Sequence, residues 1–260
     1  MSPPFSKPHI EPSLKRVRVL FGGKWIVDTR AAKLVFERWE HPYYPTYFFS
    51  TTDIKKEYLR PSFSDSAQKE VFDIVVGEKV AEKAVVTYKD QGDLSGLSKI
   101  VFASMDAWFE EDEQIFVHPK DPYKRIEVLQ SSRHIRVEID GVEVANSERP
   151  RLLFETGLPV RTYIPKIDCR MDLFEPTKLI TECPYKGIAS YYSVRLPDSG
   201  KLAENVVWWY RTPLAECIDI KGLVAFYDEK VNVWVDGEKQ EQPQSIFSSG
   251  LQPKKMLDRL

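Results

Sequence analysis

Apolar and polar residues alternate with a period of two along much of this chain. In Ile135-Arg136-Val137-Glu138-Ile139 every second residue is aliphatic and the residues between are charged, as a strand with one buried face demands. Asp140-Gly141 then supplies a tight hairpin turn, and Val142-Glu143-Val144 resumes the alternation. Leu152-Leu153-Phe154, Arg161-Thr162-Tyr163-Ile164, Ser190-Tyr191-Tyr192-Ser193-Val194, Val206-Val207-Trp208-Trp209-Tyr210 and Val231-Asn232-Val233-Trp234 read as further strands. Their β-branched and aromatic content supports this. Two short helical stretches are expected, one capped by Asp168 and running from Cys169 to Leu173, the other from Leu214 to Ile218 after Pro213. The fold class expected is mainly β and antiparallel, with one or two short helices per domain.

The pattern occurs twice. Val17-Arg18-Val19 leads through Gly22-Gly23 and Asp28-Thr29 to Leu34-Val35-Phe36-Glu37. Ile135-Arg136-Val137 leads through Asp140-Gly141 and Asn146-Ser147 to Leu152-Leu153-Phe154-Glu155. Thr46-Tyr47 then matches Thr162-Tyr163, Asp53 falls near Asp168, and Val85-Val86-Thr87-Tyr88 echoes Val207-Trp208-Trp209-Tyr210. So long a period excludes a solenoid and predicts a tandem duplication of whole domains. The expected organisation is a loosely ordered segment 1–14, a divergent first copy 15–125, a second copy 126–238 and a polar tail 239–260. The connector FVHPKDPYKRIEVLQSSRH is too short and too apolar for a free linker, and is expected to run along both domains.

Composition narrows the partners. With 260 residues, 42% hydrophobic and 29% charged, the chain has room for two soluble domains, each with a core. A net charge of -2 gives no basic field for nucleic acid or anionic membrane, and no apolar run is long enough to span a bilayer. The start, MSPPFSKPHIEPS, lacks the apolar stretch of a signal peptide. The three cysteines, Cys169, Cys183 and Cys217, are odd in number and widely spaced, which predicts reduced thiols in a cytoplasmic compartment. The oligomeric state is left open.

The second copy resembles the family filed as domain of unknown function 427, also labelled a nucleotidyltransferase domain. The residues that carry the resemblance are Leu152-Leu153-Phe154-Glu155, Tyr163-Ile164-Pro165, Asp168 with Arg170-Met171-Asp172-Leu173, Cys183-Pro184-Tyr185-Lys186-Gly187, and Ala189-Ser190-Tyr191-Tyr192-Ser193-Val194. Trp208, Tyr210, Pro213 and Gly222-Leu223-Val224-Ala225-Phe226-Tyr227 complete it. The first copy is similar but degenerate: it keeps Glu37, Tyr47 and Tyr88, while Ser64-Asp65-Ser66-Ala67-Gln68 stands where the Cys-Pro-Tyr-Lys-Gly string would be. The resemblance implies two tandem antiparallel β domains, tent-like or half-open barrels, and no settled substrate. The nucleotidyltransferase label finds no counterpart in the residues. There is no Gly-Ser followed by Asp-x-Asp to hold magnesium and phosphates, and no Walker loop.

Candidate chemistry centres on the second copy. Cys183 is followed by the fixed backbone of Pro184, with Lys186 near enough in a turn to stabilise a thiolate. The alternative is a buried thiol under a loop with Lys186 in solvent. Glu155 ends an apolar strand and is costly to bury unless paired; a general base, or a salt bridge to Lys186 or to an arginine, are all open. These three are the candidate catalytic residues. Tyr163, Asp168, Arg170, Tyr191, Trp208 and Tyr210 are the candidate ligand-binding residues, with Asp168 also readable as a cap and Arg161 and Arg170 as solvated. Cysteine spacing and the absence of histidine after His134 argue against a metal site, a cofactor fingerprint or a serine hydrolase. The expected function is binding of an unidentified small molecule, with metal-independent acid/base or thiol-assisted chemistry if the protein is an enzyme. A scaffold or a nucleotide-binding module is the alternative.

Overall fold

The computed structural model describes residues 8–37, 44–64, 66–89 and 92–243, and the chain divides into two compact units between Asp121 and Pro122. In the first unit the strands are β1 (His9–Pro12), β2 (Val17–Phe21), β3 (Lys24–Thr29), β4 (Lys33–Phe36), β5 (Thr46–Ser50) and β6 (Leu59–Ser62). They continue with β7 (Lys69–Val76), β8 (Lys79–Tyr88), β9 (Leu97–Ile100), β10 (Ala107–Glu110) and β11 (Glu113–Ile115). A seven-stranded sheet runs β1-β4-β5-β9-β8-β7-β6 and a four-stranded sheet runs β11-β10-β2-β3.

The second unit has β12 (Ile126–Gln130), β13 (Ile135–Ile139), β14 (Val142–Ser147), β15 (Arg151–Glu155), β16 (Arg161–Ile164) and β17 (Phe174–Cys183). After these come β18 (Gly187–Arg195), β19 (Leu202–Tyr210), β20 (Val224–Phe226), β21 (Asn232–Val235) and β22 (Glu238–Lys239). Its sheets run β12-β15-β16-β20-β19-β18-β17 and β14-β13-β21-β22. The two orders match strand for strand, so the duplication read from the sequence is a duplication of topology. All ladders are antiparallel and neither unit closes into a barrel.

Each wide sheet buries both faces. One face meets the four-stranded sheet: in the second unit Ile135, Val137, Ile164, Val194, Val207, Val224 and Phe226 form that core. The opposite, outer face carries Leu153, Tyr163, Ala189, Tyr191, Trp208, Tyr210 and Ala225, with Cys217 and Ile220 packed on it. The strict period of two sends neighbours to opposite faces, so Leu152 and Thr162 face the inter-sheet side while Leu153 and Tyr163 face outward.

Several local expectations change. The helical stretches are 3₁₀ turns, at Lys166–Asp168, Met171–Leu173 and Ala215–Ile220. Asp168 caps none of them, because both of the nearby turns start without a side-chain cap. Part of the segment expected to be loosely ordered, His9–Pro12, pairs with β4. Part of the connector, Ile126–Gln130, is an edge strand of the second unit, and Glu238–Lys239 pairs with β21. Residues 1–7, Asp65 and the tail 244–260 lie outside the described residues. No helix among the described residues is long and apolar enough to cross a membrane.

Candidate functional site

The Cys-Pro-Tyr-Lys-Gly string is the tip of the β17–β18 hairpin. Cys183 stands opposite Gly187, and Pro184, Tyr185 and Lys186 make the turn. Gly187 has φ +96°, and a Cβ there would sit 3.4 Å from the Thr212 carbonyl oxygen. Any other residue would be strained in that backbone, although its Cβ would meet the neighbouring segment only at ordinary contact distance. The Leu214 amide donates to the Lys186 carbonyl at 3.2 Å, which pins the tip to that segment. The tip thus folds onto the outer face and buries Tyr185 and Lys186 instead of leaving the lysine in solvent.

Glu155, the last residue of β15, meets the tip. The Lys186 ammonium donates to Glu155 Oε2, and Lys124 donates to Oε1 at 3.3 Å. All three side chains are nearly buried, at 6% exposure for Glu155, 9% for Lys124 and 11% for Lys186. Burial opposes ionisation of Glu155, but the two ammonium groups outweigh it and hold the carboxyl below its ordinary range. Burial likewise opposes the charge on Lys186, and the electrostatic pull of Cys183 and Glu155 raises its pKa nonetheless. Both groups therefore stay charged at neutral pH, which makes the pair a fixed dipole and a poor proton shuttle.

Two tyrosines and two thiols complete the cluster. Tyr163 is fully buried and its hydroxyl accepts from Trp208 Nε1 at 3.2 Å. Burial raises the pKa of Tyr163 and of Tyr210, so both remain neutral hydroxyls. Tyr210 is in electrostatic reach of Tyr163, Cys183 and Glu155. Cys217, on the 3₁₀ turn that covers the face, feels Lys186, Cys183 and Glu155, and burial pushes its thiol up to about 11. Tyr191 packs in the same cluster, within electrostatic reach of Tyr210, and shares hydrogen bonds with Thr181 at 2.8 Å and Tyr227 at 3.4 Å. Of the candidate residues, the structure brings Glu155, Tyr163, Cys183, Lys186, Tyr191, Trp208 and Tyr210 into one neighbourhood.

Asp168 and Arg170 do not join them. Asp168 accepts from Ser147 Oγ at 2.8 Å and takes the Arg149 fork at 2.8 and 3.0 Å. Arg170 pairs with Asp172 in solvent. Arg161, read as solvated, is instead buried, with its fork on Glu229 at 2.9 and 2.5 Å. The sequence reading missed Lys124 and Cys217. Lys124 precedes an edge strand hidden in the connector, and Cys217 sits on a short turn with no period to reveal its face. Among the described residues no three His, Cys, Asp or Glu side chains gather as a metal site.

The first unit offers an internal comparison. Leu34 pairs with Tyr47 as Leu152 pairs with Thr162, so the counterpart of Tyr163 is Phe48 and the Tyr47 match is out by one residue. By the same ladders Tyr191, Trp208, Tyr210 and Ala225 correspond to Val71, Val86, Tyr88 and Lys99. The outer face there is packed by Val35, Phe48, Tyr88 and Leu94. Glu37 keeps its partners in altered form, accepting from Tyr88 at 2.8 Å and from Lys99 at 2.7 Å.

No curated protein matches the chain as a relative. The family description that does match is "domain of unknown function (DUF427)", over residues 9–111 and again over 127–237. With both units matched, on top of their shared strand order, the chain belongs to the domain of unknown function 427 family as a two-copy member.

Proposed function

We propose that the outer face of the second unit binds a small molecule at the hairpin tip, with Cys183 as nucleophile or polar contact. Lys186 acts as a fixed cation, and Glu155 holds that cation in place. Tyr163 and Tyr210 supply neutral hydroxyls. A lysine that stays charged beside the thiol is placed to stabilise the oxyanion that develops when the sulfur adds to a carbonyl carbon. The chemistry is thus thiol-assisted, carried by the protein's side chains, on small carbonyl electrophiles.

The observation that carries this reading is the contrast between the copies. The first unit covers the same sheet face with Phe48, Val71 and Val86, so the topology folds without Tyr163, Tyr191, Trp208 or the Cys183 tip. Buried polar groups cost free energy unless satisfied, and a fold that does without them in one copy retains them in the other for another reason. A second reading, that the tip is only a structural pin, draws on Glu37, Lys99 and Tyr88, which repeat the ionic part of the arrangement.

The two readings separate in thermal-shift titrations with small carbonyl electrophiles and, for the family's other label, with nucleoside triphosphates. A saturable shift lost in Cys183→Ser and in Lys186→Met supports the site. Shifts absent, or unchanged in both variants, leave the structural pin.

A further inference from the structure

The two sheets of the second unit part on one side to leave a groove of about 240 Å³, lined by Ile135, Leu152, Phe154, Thr162, Val233 and Asp228. It lies on the inter-sheet side of the wide sheet, away from the face that carries Cys183 and Lys186. We propose that this groove binds a small organic ammonium compound, its hydrocarbon part between the sheets and its nitrogen on the Asp228 carboxylate.

The first unit shows what makes the groove. Thr162 corresponds to Tyr47, and Val233, opposite Val137, corresponds to Trp108, opposite Val19. Those two rings fill the first unit's inter-sheet core at 4% and 2% exposure, and Phe36 beside them is 2% exposed. In the second unit the small residues leave Phe154, the counterpart of Phe36, 37% exposed. The same architecture is plugged by aromatic rings in one copy and open in the other. The volume suits a ligand smaller than the usual drug-sized molecule.

Asp228 gives the groove its sign. Its side chain is 19% exposed and pairs on one oxygen, Oδ2, with Arg161 at 3.6 Å, while the same guanidinium donates to both oxygens of Glu229. A carboxylate with accepting capacity beside apolar walls is complementary to an alkyl or aryl ammonium group. Burial pushes Asp228 up to about 6, so it is mostly ionised at neutral pH and protonated under mild acid. The other charged groups here are Arg161 and Glu229 behind it and Arg133 and Glu241 at the lining.

The test uses the full chain, ¹⁵N-labelled, titrated with benzylammonium, benzyl alcohol and benzoate. Benzylammonium is expected to shift amides of β16 and β21 saturably. Benzyl alcohol should bind about tenfold more weakly, as loss of one charge-assisted contact implies, and benzoate not at all. Asp228→Asn should weaken benzylammonium by about tenfold, and lowering the pH to about 5 should do the same. Thr162→Tyr with Val233→Trp, which rebuilds the first unit's plug, should abolish binding. No saturable shift, equal binding of benzyl alcohol, or an unaffected Asp228→Asn would overturn the proposal. The Asp228→Asn result decides the matter if the plugged variant does not fold.

Discussion

Replacing Lys186 by Met removes one ammonium from a carboxylate that is only 6% exposed. Breaking a buried pair from one side costs about 3–5 kcal/mol, because the remaining charge is stranded. Here Lys124 remains on the other carboxylate oxygen at 3.3 Å, which softens the loss to about 2–4 kcal/mol at pH 7. The double variant Glu155→Met/Lys186→Met removes both charges of this pair but takes the carboxylate from Lys124 as well, so the informative quantity is the coupling between the two singles, about 2 kcal/mol. The assay is urea unfolding followed by tryptophan fluorescence, with the second unit reporting through Trp208, Trp209 and Trp234. The pH dependence has a fixed sign. Glu155 is depressed in the folded state, so its contribution is present above its unfolded pKa of about 4.3 and is lost as the pH falls through the lower folded value. The Lys186→Met penalty should therefore shrink in acid. A penalty below about 1 kcal/mol at pH 7, or a double variant whose cost equals the sum of the singles, would refute the reasoning.

Other expectations follow from the same contacts. Asp228 has a folded pKa near 6, above its unfolded value of about 3.9, so it lowers stability as the pH rises between those values. Asp228→Asn should then stabilise the protein by about 1–3 kcal/mol at pH 7.5 and by little at pH 4, measured by urea midpoints. Grafting the first unit's outer face onto the second, as Tyr163→Phe with Trp208→Val, removes both ends of the 3.2 Å hydrogen bond together. It should cost less than Trp208→Val alone relative to the area lost, because no hydroxyl is stranded, and chemical denaturation of the three variants checks this. Asp168→Ala frees Arg149 and Ser147 but touches nothing at the tip, and should leave ligand-induced thermal shifts unchanged.

Much of this was legible in the chain, for identifiable reasons. Alternation gave the strands, since a half-buried sheet forces a period of two, and repetition gave the two units. Glu155 and Lys186 were legible as partners because a strand-end carboxylate and a turn lysine both need an opposite charge when buried. The failures also have physical causes. Tyr was matched to Tyr at positions 47 and 163, but the preceding loops differ in length and a one-residue slip moves a side chain to the other face of the sheet. Asp168 and Arg170 are polar residues within the family pattern, and nothing in their spacing tells a ligand contact from a local ion pair. The bridge from Ala145 to Cys169 ties that segment to the narrow sheet instead. β17 went unread since Pro176 and paired apolar residues at Leu179-Ile180 break the alternation, and Ile180 is 63% exposed. The inter-sheet groove had no signal at all, because small residues mark an opening only beside the larger ones they replace.

The most direct test of the tip as a site is the rate of iodoacetamide labelling at each cysteine, resolved by mass spectrometry at pH 8 in the native protein and in Lys186→Met. Cys169 and Cys217, pushed by burial up to about 12 and about 11, should label slowly in both. Cys183 should label fastest in the native protein and slow severalfold without the Lys186 charge. Equal rates at Cys183 in the two proteins would contradict a lysine-activated thiol and leave the hairpin tip as a structural pin.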